Sequence, residues 1–250
     1  NTLKKVFLKK YVNLDKLSDK DLFKKDLNFL FVYFNTDKGQ TFNMNSGKTI
    51  NAHNYSPYYE KYLKQYKNQK INFLELGSHE GKGIASFYFY FPFANFVGAN
   101  INPFQMNYFS NRIEEIFIDV SSKSIIKNFS NHFKNREFDI IIDDASHNLK
   151  DIIQTLPILF KKIKKDGYYI IEDADQFEAF PNLNPTQDEM TPLLIFEKLK
   201  KNEDFQSPFL EKNDIEYLRR HIKNIHVEKG NMSLEGHQVS DIIFVQKKDI

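Results

Sequence analysis

Short apolar runs alternate with polar turns and with longer amphipathic stretches along most of the chain. Apolar residues recur at helical spacing between these runs, most clearly in the stripe that begins at Leu149, Ile152 and Ile153. This alternation predicts a parallel sheet with helices on both faces. Five runs have the length of strands, at residues 72–76, 96–102, 115–118, 140–142 and 168–171.

The chain closes with two more apolar runs, at 224–228 and 241–246, joined through Gly230 and Gly236. They predict a terminal β-hairpin in which one strand is antiparallel to the rest of the sheet. Together with the five earlier strands, they give an α/β fold with a Rossmann-like, seven-stranded, mostly parallel sheet. Helices are also predicted at 193–201 and 214–222, after a proline-rich loop at 177–192.

The stretch before the first strand has a different pattern. Leucines recur at helical spacing among lysines through residues 3–34, which predicts short amphipathic helices that pack on the domain or on another subunit. Residues 36–39 and 53–60 are loop-like, and they form either a lid over a ligand or an ordinary aromatic-packed loop. We therefore predict an N-terminal helical extension and lid at 1–70, and a single main domain at 71–250.

Acidic residues follow two of the predicted strands. Asp144 and, three positions later, His147 follow the strand at 140–142, and Glu172 and Asp173 follow the strand at 168–171. The carboxyl ends of neighbouring parallel strands meet at one sheet edge, so these side chains are predicted to converge there. Oxygen ligands favour Mg²⁺, Mn²⁺ or Ca²⁺ over zinc. The alternative is that Asp144 or Ser146 only caps the next helix, which begins near Asn148.

A glycine-containing turn follows the first strand, with Gly77, Gly81 and Gly83 between the strand and a predicted helix. Strand, glycine turn and helix are typical of the nucleotide-binding start of a doubly wound fold. The spacing matches neither the dinucleotide fingerprint nor the Walker motif. Asn100 stands at the end of the second strand, where such folds place an acidic residue that binds a ribose.

Composition narrows the function classes. The chain has 250 residues with a formal net charge of +2 and no cysteine. Thiol catalysis, disulfides and cysteine-ligated zinc are therefore excluded, and no nucleic-acid partner is expected. The most apolar stretch, 87–93, is too short to span a bilayer, so no membrane span is predicted. With no signal peptide visible, although the start is Asn1 and not Met, we expect a cytoplasmic protein.

The combination of these motifs resembles class I S-adenosylmethionine-dependent methyltransferases. Within that class it is similar to the metal-dependent sugar O-methyltransferases of the mycinamicin and macrocin type. The residues that carry the resemblance are the glycine turn at 75–83, Asp119, the Asp-Asp-Ala-Ser-His stretch at 143–147 and the Glu-Asp pair at 172–173. Thr36-Asp37-Lys38-Gly39 and His53-Asn54-Tyr55 also recur in that group.

The resemblance implies a role for each matching residue. The metal, Mg²⁺ or Mn²⁺, would be bound by Asp144, Glu172 and Asp173, and His147 would be the general base beside Asp144. Contacts with a sugar acceptor carry over weakly. The residues implied to bind S-adenosylmethionine are Glu75, Gly77, Ser78, Asn100, Asp119, Val120 and Asp143, and the weak acceptor candidates are His53, Tyr55, Tyr59 and His237.

The activity implied is divalent-metal-dependent methyl transfer from S-adenosylmethionine to a sugar hydroxyl. The sugar would be nucleotide-linked or part of a glycan, in bacterial surface (capsular) polysaccharide or metabolite biosynthesis, and the N-terminal helices could support a homo-oligomer. The alternatives are a non-sugar acceptor, such as a phenol or a phosphorylated metabolite, a hydroxylase-like enzyme, and a donor-binding protein without catalysis.

Overall fold

The computed structural model describes residues 11–17, 19–184, 189–234 and 236–249. Its strands are β1 (Val12–Asn13), β2 (Thr41–Asn43), β3 (Thr49–Asn51), β4 (Asn72–Leu76), β5 (Asn95–Asn100), β6 (Tyr108–Phe109), β7 (Ile113–Phe117), β8 (Phe138–Asp143), β9 (Ile163–Ile171), β10 (Ile222–Lys229), β11 (Ser233–Leu234), β12 (His237–Gln238) and β13 (Asp241–Lys247). Its α-helices are α1 (Leu27–Tyr33), α2 (Ser56–Leu63), α3 (Lys82–Tyr90), α4 (Lys123–His132), α5 (Leu149–Phe160), α6 (Gln176–Ala179), α7 (Pro192–Lys201) and α8 (Lys212–His221). Short 3₁₀ turns lie at Leu14–Lys16, Lys20–Lys24, Lys64–Tyr66, Pro103–Gln105 and Pro181–Leu183.

One seven-stranded sheet organises the fold, in the order β10-β13-β9-β8-β4-β5-β7. The pairs β4–β5, β4–β8, β5–β7 and β8–β9 are parallel, and β13 runs antiparallel to both of its neighbours. The predicted α/β class, the seven-stranded sheet and the terminal antiparallel hairpin are therefore confirmed. β9 begins at Ile163, five residues before the predicted start.

Alternate residues of each central strand are buried on opposite faces of the sheet, as the period of a β-strand requires. Phe73 and Tyr168 belong to one apolar core, against α1, α2 and α3. Leu74 and Tyr169 belong to the other, against α4, α5, α7 and α8. Because both faces are covered, these strands read in the sequence as nearly continuous apolar runs.

The N-terminal leucines pack on the face of the sheet that α3 covers. Leu14, Leu22, Leu27 and Leu30 are buried in the same core as Phe73. The predicted helices in this region are 3₁₀ turns followed by α1, while residues 3–10 lie outside the described residues.

Two predicted loops contain helices. The segment 53–60 was expected to be a loop, but α2 begins at Ser56, and the proline at its start is a position that helices tolerate well. The segment 177–192 contains most of α6 and a 3₁₀ turn at Pro181–Leu183, and its residues 185–188 lie outside the described residues. No helix in the described part of the chain is long and apolar enough to cross a membrane.

The order of the strands reverses at the centre of the sheet. From β4 the chain goes to β5 and β7 on one side, and then returns to β8 and β9 on the other. The crevice outside the carboxyl ends of two such strands is where open α/β sheets bind ligands. The turns that follow β4 and β8 therefore form the candidate site.

Candidate active site

Three carboxylates meet where β8 and β9 end. Asp144 directly follows β8, and Glu172 and Asp173 directly follow β9. The two strands are held in register up to this point, and the Glu172 amide donates a 3.1 Å hydrogen bond to the Asp143 carbonyl. The predicted convergence of these acids thus follows from the parallel pairing of their strands.

Asp144, His147 and Asp173 form a group that could hold a metal ion. One ligand atom from each lies within 4.8 Å of the others. His147 Nε2 is 3.6 Å from an Asp144 oxygen and 3.9 Å from an Asp173 oxygen. Both His147 and Asp173 are left-handed, with φ of 53° and 51°. This conformation costs a non-glycine residue about 1–2 kcal/mol and concentrates at functional sites.

The predicted alternative, in which Asp144 or Ser146 caps the following helix, is wrong. The N-cap of α5 is Asn148, whose side chain accepts a hydrogen bond from the Lys150 amide. Ser146 Oγ instead donates to Asp151 at 2.7 Å. Asp144 is therefore available to the cluster.

Glu172 faces a lysine that sequence reasoning did not place in the site. Lys38 Nζ lies 2.5 Å from Asp144 Oδ2, bonds Glu172 Oε2, and lies 3.6 Å from Glu75 Oε1. Its side chain is only 3% exposed. The other Glu172 oxygen accepts from Tyr59. A carboxylate oxygen has two lone pairs, so these bonds leave Glu172 able to ligate a metal as well.

Buried side chains hold Asp173 in place. Tyr55 donates to Asp173 Oδ1 at 2.5 Å, His53 Nδ1 lies 3.2 Å from the same oxygen, and Gln176 donates to Oδ2 at 2.8 Å. Tyr55, Tyr59 and His53 are all buried. This segment therefore packs against the acids through the start of α2, and its predicted role as a lid stays a prediction.

The charges in the cluster depend on one another. Burial acts to raise the pKa of Asp144, but Lys38 and then His147 outweigh it and hold that pKa below its usual value. Burial raises the pKa of Glu172 well above normal, although Lys38 opposes the rise. Burial alone would lower the pKa of Lys38, but the surrounding carboxylates hold it well above its usual range. The carboxylates therefore favour the charged form of Lys38.

The glycine turn after β4 lines a cavity of about 500 Å³ beside the acids. Gly77 is left-handed with φ of +80°, and an added Cβ would lie 1.9 Å from the Asp144 carbonyl oxygen. Glu75 Oε2 and Ser78 Oγ are buried and have no hydrogen-bond partner among the described residues. Unpartnered buried polar atoms are costly, so two of them at a cavity point to a polar ligand. The lining includes Thr36, Lys38, Glu75, Gly77, Ser78, Asn100, Asp144 and His147.

A second cavity of about 220 Å³ adjoins the first and shares Gly77, Asn100 and Ala145 with it. Asn100 Oδ1 accepts from the Ile101 amide at 2.9 Å, and its Nδ2 donates to Gln105 Oε1 at 3.1 Å. These bonds hold the side chain of Asn100 in one orientation at the junction of the cavities. The other lining residues include Ile118, Asp119, Val120 and Asp151.

Two predicted site residues, Asp143 and His237, line neither cavity and are not among the side chains that hold the acids. Asp143 is buried and accepts a 2.7 Å hydrogen bond from Tyr169, on the face of the sheet opposite to Glu75. His237 is exposed on β12. Neither residue is among those that line the two cavities, and their predicted contacts with donor and acceptor remain predictions.

Lys38 carries a faint signal in the sequence. It belongs to Thr36-Asp37-Lys38-Gly39, which was recognised as part of the family pattern, but it is one residue in a chain with 35 lysines and arginines. A lysine is rarely buried unless it is paired with an opposite charge. Nothing in the spacing of Lys38 predicts such a partner, so its burial could not be predicted from the sequence.

Two curated proteins match the chain in sequence. A mycinamicin VI 2''-O-methyltransferase from Micromonospora griseorubida is 27% identical over 128 residues, which is 48% of this chain and 31% of that protein. A demethylmacrocin O-methyltransferase from Streptomyces fradiae is 23% identical over 186 residues, which is 70% of this chain and 46% of that protein. No protein-family model matches the chain.

The fold matches the MycE methyltransferase of the mycinamycin biosynthetic pathway, solved in complex with Mg, SAH and mycinamycin VI. The TM-score is 0.66 at 22% identity, over 90% of this chain and 55% of that one. A second structure of MycE, with Mg and SAH, gives a TM-score of 0.65 over the same shares. The chain thus spans about half the length of the solved relative, and less than half of each curated relative. The predicted resemblance is confirmed.

Proposed function

We propose that this chain, which resembles the mycinamicin and macrocin O-methyltransferases in sequence and fold, transfers a methyl group from S-adenosylmethionine to a sugar hydroxyl with the help of a divalent metal. The observation that carries the proposal is the position of the Asp144–His147–Asp173 group. It lies at the carboxyl end of β8, beside the glycine turn whose cavity contains two unpartnered buried polar atoms. This arrangement supports a site in which the donor and the acceptor would lie side by side.

The residues present fit the donor. Its methionine portion would occupy the larger cavity, where Ser78 Oγ and Glu75 Oε2 are buried without partners. Its adenosine would occupy the smaller cavity, beside Asn100, Asp119 and Val120. Solved MycE contains SAH, the donor after it has lost its methyl group. Because the cavities join at Gly77, one extended molecule could span both.

The residues present also fit a divalent cation. Asp144 and Asp173, with Glu172, supply hard oxygen atoms of the kind Mg²⁺ and Mn²⁺ prefer. Solved MycE contains Mg. We propose these three carboxylates as the ligands. A bound cation would lower the pKa of an acceptor hydroxyl, which is otherwise a poor nucleophile at neutral pH.

His147 is proposed as the base that accepts the acceptor's proton. Its ring is partly exposed and lines the larger cavity, and its Nε2 lies 3.6 Å from Asp144 Oδ1. The proton passes to the imidazole as the acceptor oxygen forms a bond to the methyl carbon and the carbon–sulfur bond breaks. The neutral thioether SAH then leaves.

The experiment is a panel of acceptors incubated with isotopically labelled S-adenosylmethionine and Mg²⁺. The panel holds nucleotide-linked sugars, free and polymeric glycans, and a phenol as a non-sugar acceptor. We expect labelled methyl on a sugar hydroxyl, detected by mass spectrometry. Label on the phenol with none on any sugar would contradict the sugar assignment but would leave the methyltransferase assignment intact.

A further inference from the structure

Lys38 lies in surroundings that normally hold a metal ion. Its ammonium nitrogen contacts carboxylate oxygens of Asp144, Glu172 and Glu75, which follow or end three adjacent strands. All four side chains are at least four-fifths buried. Three hard oxygen donors around one buried point are the ligand set of a divalent cation.

Packing fixes the position of this ammonium group. The Lys38 carbonyl accepts a 2.8 Å hydrogen bond from the Tyr55 amide, which anchors the backbone. The side chain then passes Gly83 of α3, where an added Cβ would lie 3.0 Å from Lys38 Cε and 2.5 Å from Glu75 Oε1. The fold therefore keeps a channel free of side chain for the lysine and the glutamate to meet.

Asp144 divides its two oxygens between two positions. Oδ2 faces Lys38 at 2.5 Å, whereas Oδ1 faces His147 at 3.6 Å in the group that also contains Asp173. A carboxylate that bridges two adjacent cation positions is typical of a two-metal site, in which the ions lie about 3.5–4 Å apart. Here an ammonium group occupies one of the two positions.

We infer that Lys38 is the resident cation of a two-cation site, so that its ammonium group restricts the site to one divalent metal ion. The inference rests on the proposed function for the metal itself. Lys38 thereby acts as a positioning residue: it holds Glu172 and one oxygen of Asp144, and directs the other oxygen of Asp144 toward the catalytic position. It also offsets one negative charge, which limits the attraction of the cluster for further cations.

The test counts bound Mn²⁺ per chain by electron paramagnetic resonance, in the wild type and in Lys38→Met. Methionine keeps the length and packing of the lysine stem but removes the charge. We expect one ion per wild-type chain and two per Lys38→Met chain. Lys164→Met is the matched control, because it removes a lysine that forms a 2.8 Å pair with Asp139 at the other end of β8, and it should bind one ion.

Each outcome decides a separate claim. If the wild type binds one ion and folded Lys38→Met also binds one with unchanged affinity, Lys38 is not a resident cation. A wild type that binds none contradicts the metal in the proposed function instead. If Lys38→Met is unfolded without metal, we compare the rise in melting temperature that Mn²⁺ causes in the variant with the rise that it causes in the wild type. A rise larger than that of the wild type supports the inference, and an equal or smaller rise overturns it.

Discussion

Replacing His147 separates two chemical roles that its position allows. If His147 is the general base, its removal should lower kcat and leave metal binding intact. If His147 is a metal ligand, its removal should weaken metal binding, and added metal should restore the rate. The backbone of His147 is left-handed, with φ of 53°. Asparagine and histidine both tolerate this region better than alanine does, so His147→Asn removes the imidazole with less backbone strain than His147→Ala would bring.

The expected loss follows from the role. A positioned base contributes about 10²–10⁴-fold, so kcat of His147→Asn should fall by that factor at saturating metal, donor and acceptor. Mn²⁺ affinity, measured by calorimetry, should stay close to that of the wild type, because the carboxylates remain. The assay for kcat is the appearance of SAH, followed by liquid chromatography. His132→Asn is the control, since His132 is an exposed histidine at the end of α4 that lies outside the carboxylate cluster and lines neither cavity.

The opposite pattern would refute this reasoning. If His147→Asn loses Mn²⁺ affinity and recovers its rate when the metal concentration is raised, then Nε2 is a ligand of the metal. The base would then have to be sought elsewhere. His53 is a poor replacement, because its ring is buried and lies against Ser240 and Asp173.

Three further predictions concern the glycine turn. Ser78→Ala should weaken SAH binding in calorimetry by roughly 2- to 12-fold, the equivalent of one hydrogen bond. The donor-free protein should be as stable as the wild type or more stable, because the buried hydroxyl has no partner among the described residues. An SAH affinity equal to that of the wild type would contradict the placement of the donor. Gly77→Ala should destabilise the protein in urea unfolding by more than ~1 kcal/mol, because its Cβ would meet the Asp144 carbonyl at 1.9 Å; a wild-type midpoint would show that the turn differs. Burial raises the pKa of Glu75 from 4.5 to about 7, so its contribution to stability is full below pH 4.5 and is lost as the pH rises through 7. Glu75→Gln cannot ionise and should flatten that part of the pH dependence of unfolding, and an unchanged slope would exclude Glu75 as its source.

Gly77 has a structural role in addition to the donor contact that the resemblance implies. The turn after β8 crosses directly over Gly77, so an added Cβ would lie 1.9 Å from the Asp144 carbonyl oxygen. A Gly77 variant therefore tests folding before it tests donor binding, and Ser78 is the better probe of the donor.

The central strands could be predicted because their surroundings are uniform. Ile140, Ile141 and Ile142 are all fully buried, since helices cover both faces of the sheet, and such burial leaves a continuous apolar run in the sequence. Their parallel pairing with β9 then brings Asp144 next to Glu172 and Asp173 without further information. The local pattern of apolar and polar residues was thus sufficient to predict the fold class and the convergence of the three carboxylates at one edge of the sheet.

The supporting residues of the site could not be predicted in the same way. Lys38, Tyr55 and Tyr59 reach Asp144, Asp173 and Glu172 across more than 100 positions of sequence. Such contacts depend on how α2 and the preceding turn pack on the sheet, which no local period encodes. The bond of Asp143 to Tyr169 is likewise not visible in the sequence, although it follows from the alternation of strand residues between the two faces of the sheet.

The central claim is that the methyl donor and the divalent metal occupy one continuous site at the carboxyl ends of β4 and β8. It is tested most directly by the nuclear relaxation of S-adenosylmethionine labelled with ¹³C in its methyl group, bound to the protein with Mn²⁺. We predict strong paramagnetic relaxation of the methyl carbon, which is lost in Asp144→Asn and when Mg²⁺ replaces Mn²⁺. Donor that binds fully but whose methyl carbon relaxes equally with Mn²⁺ and with Mg²⁺ would contradict a shared site.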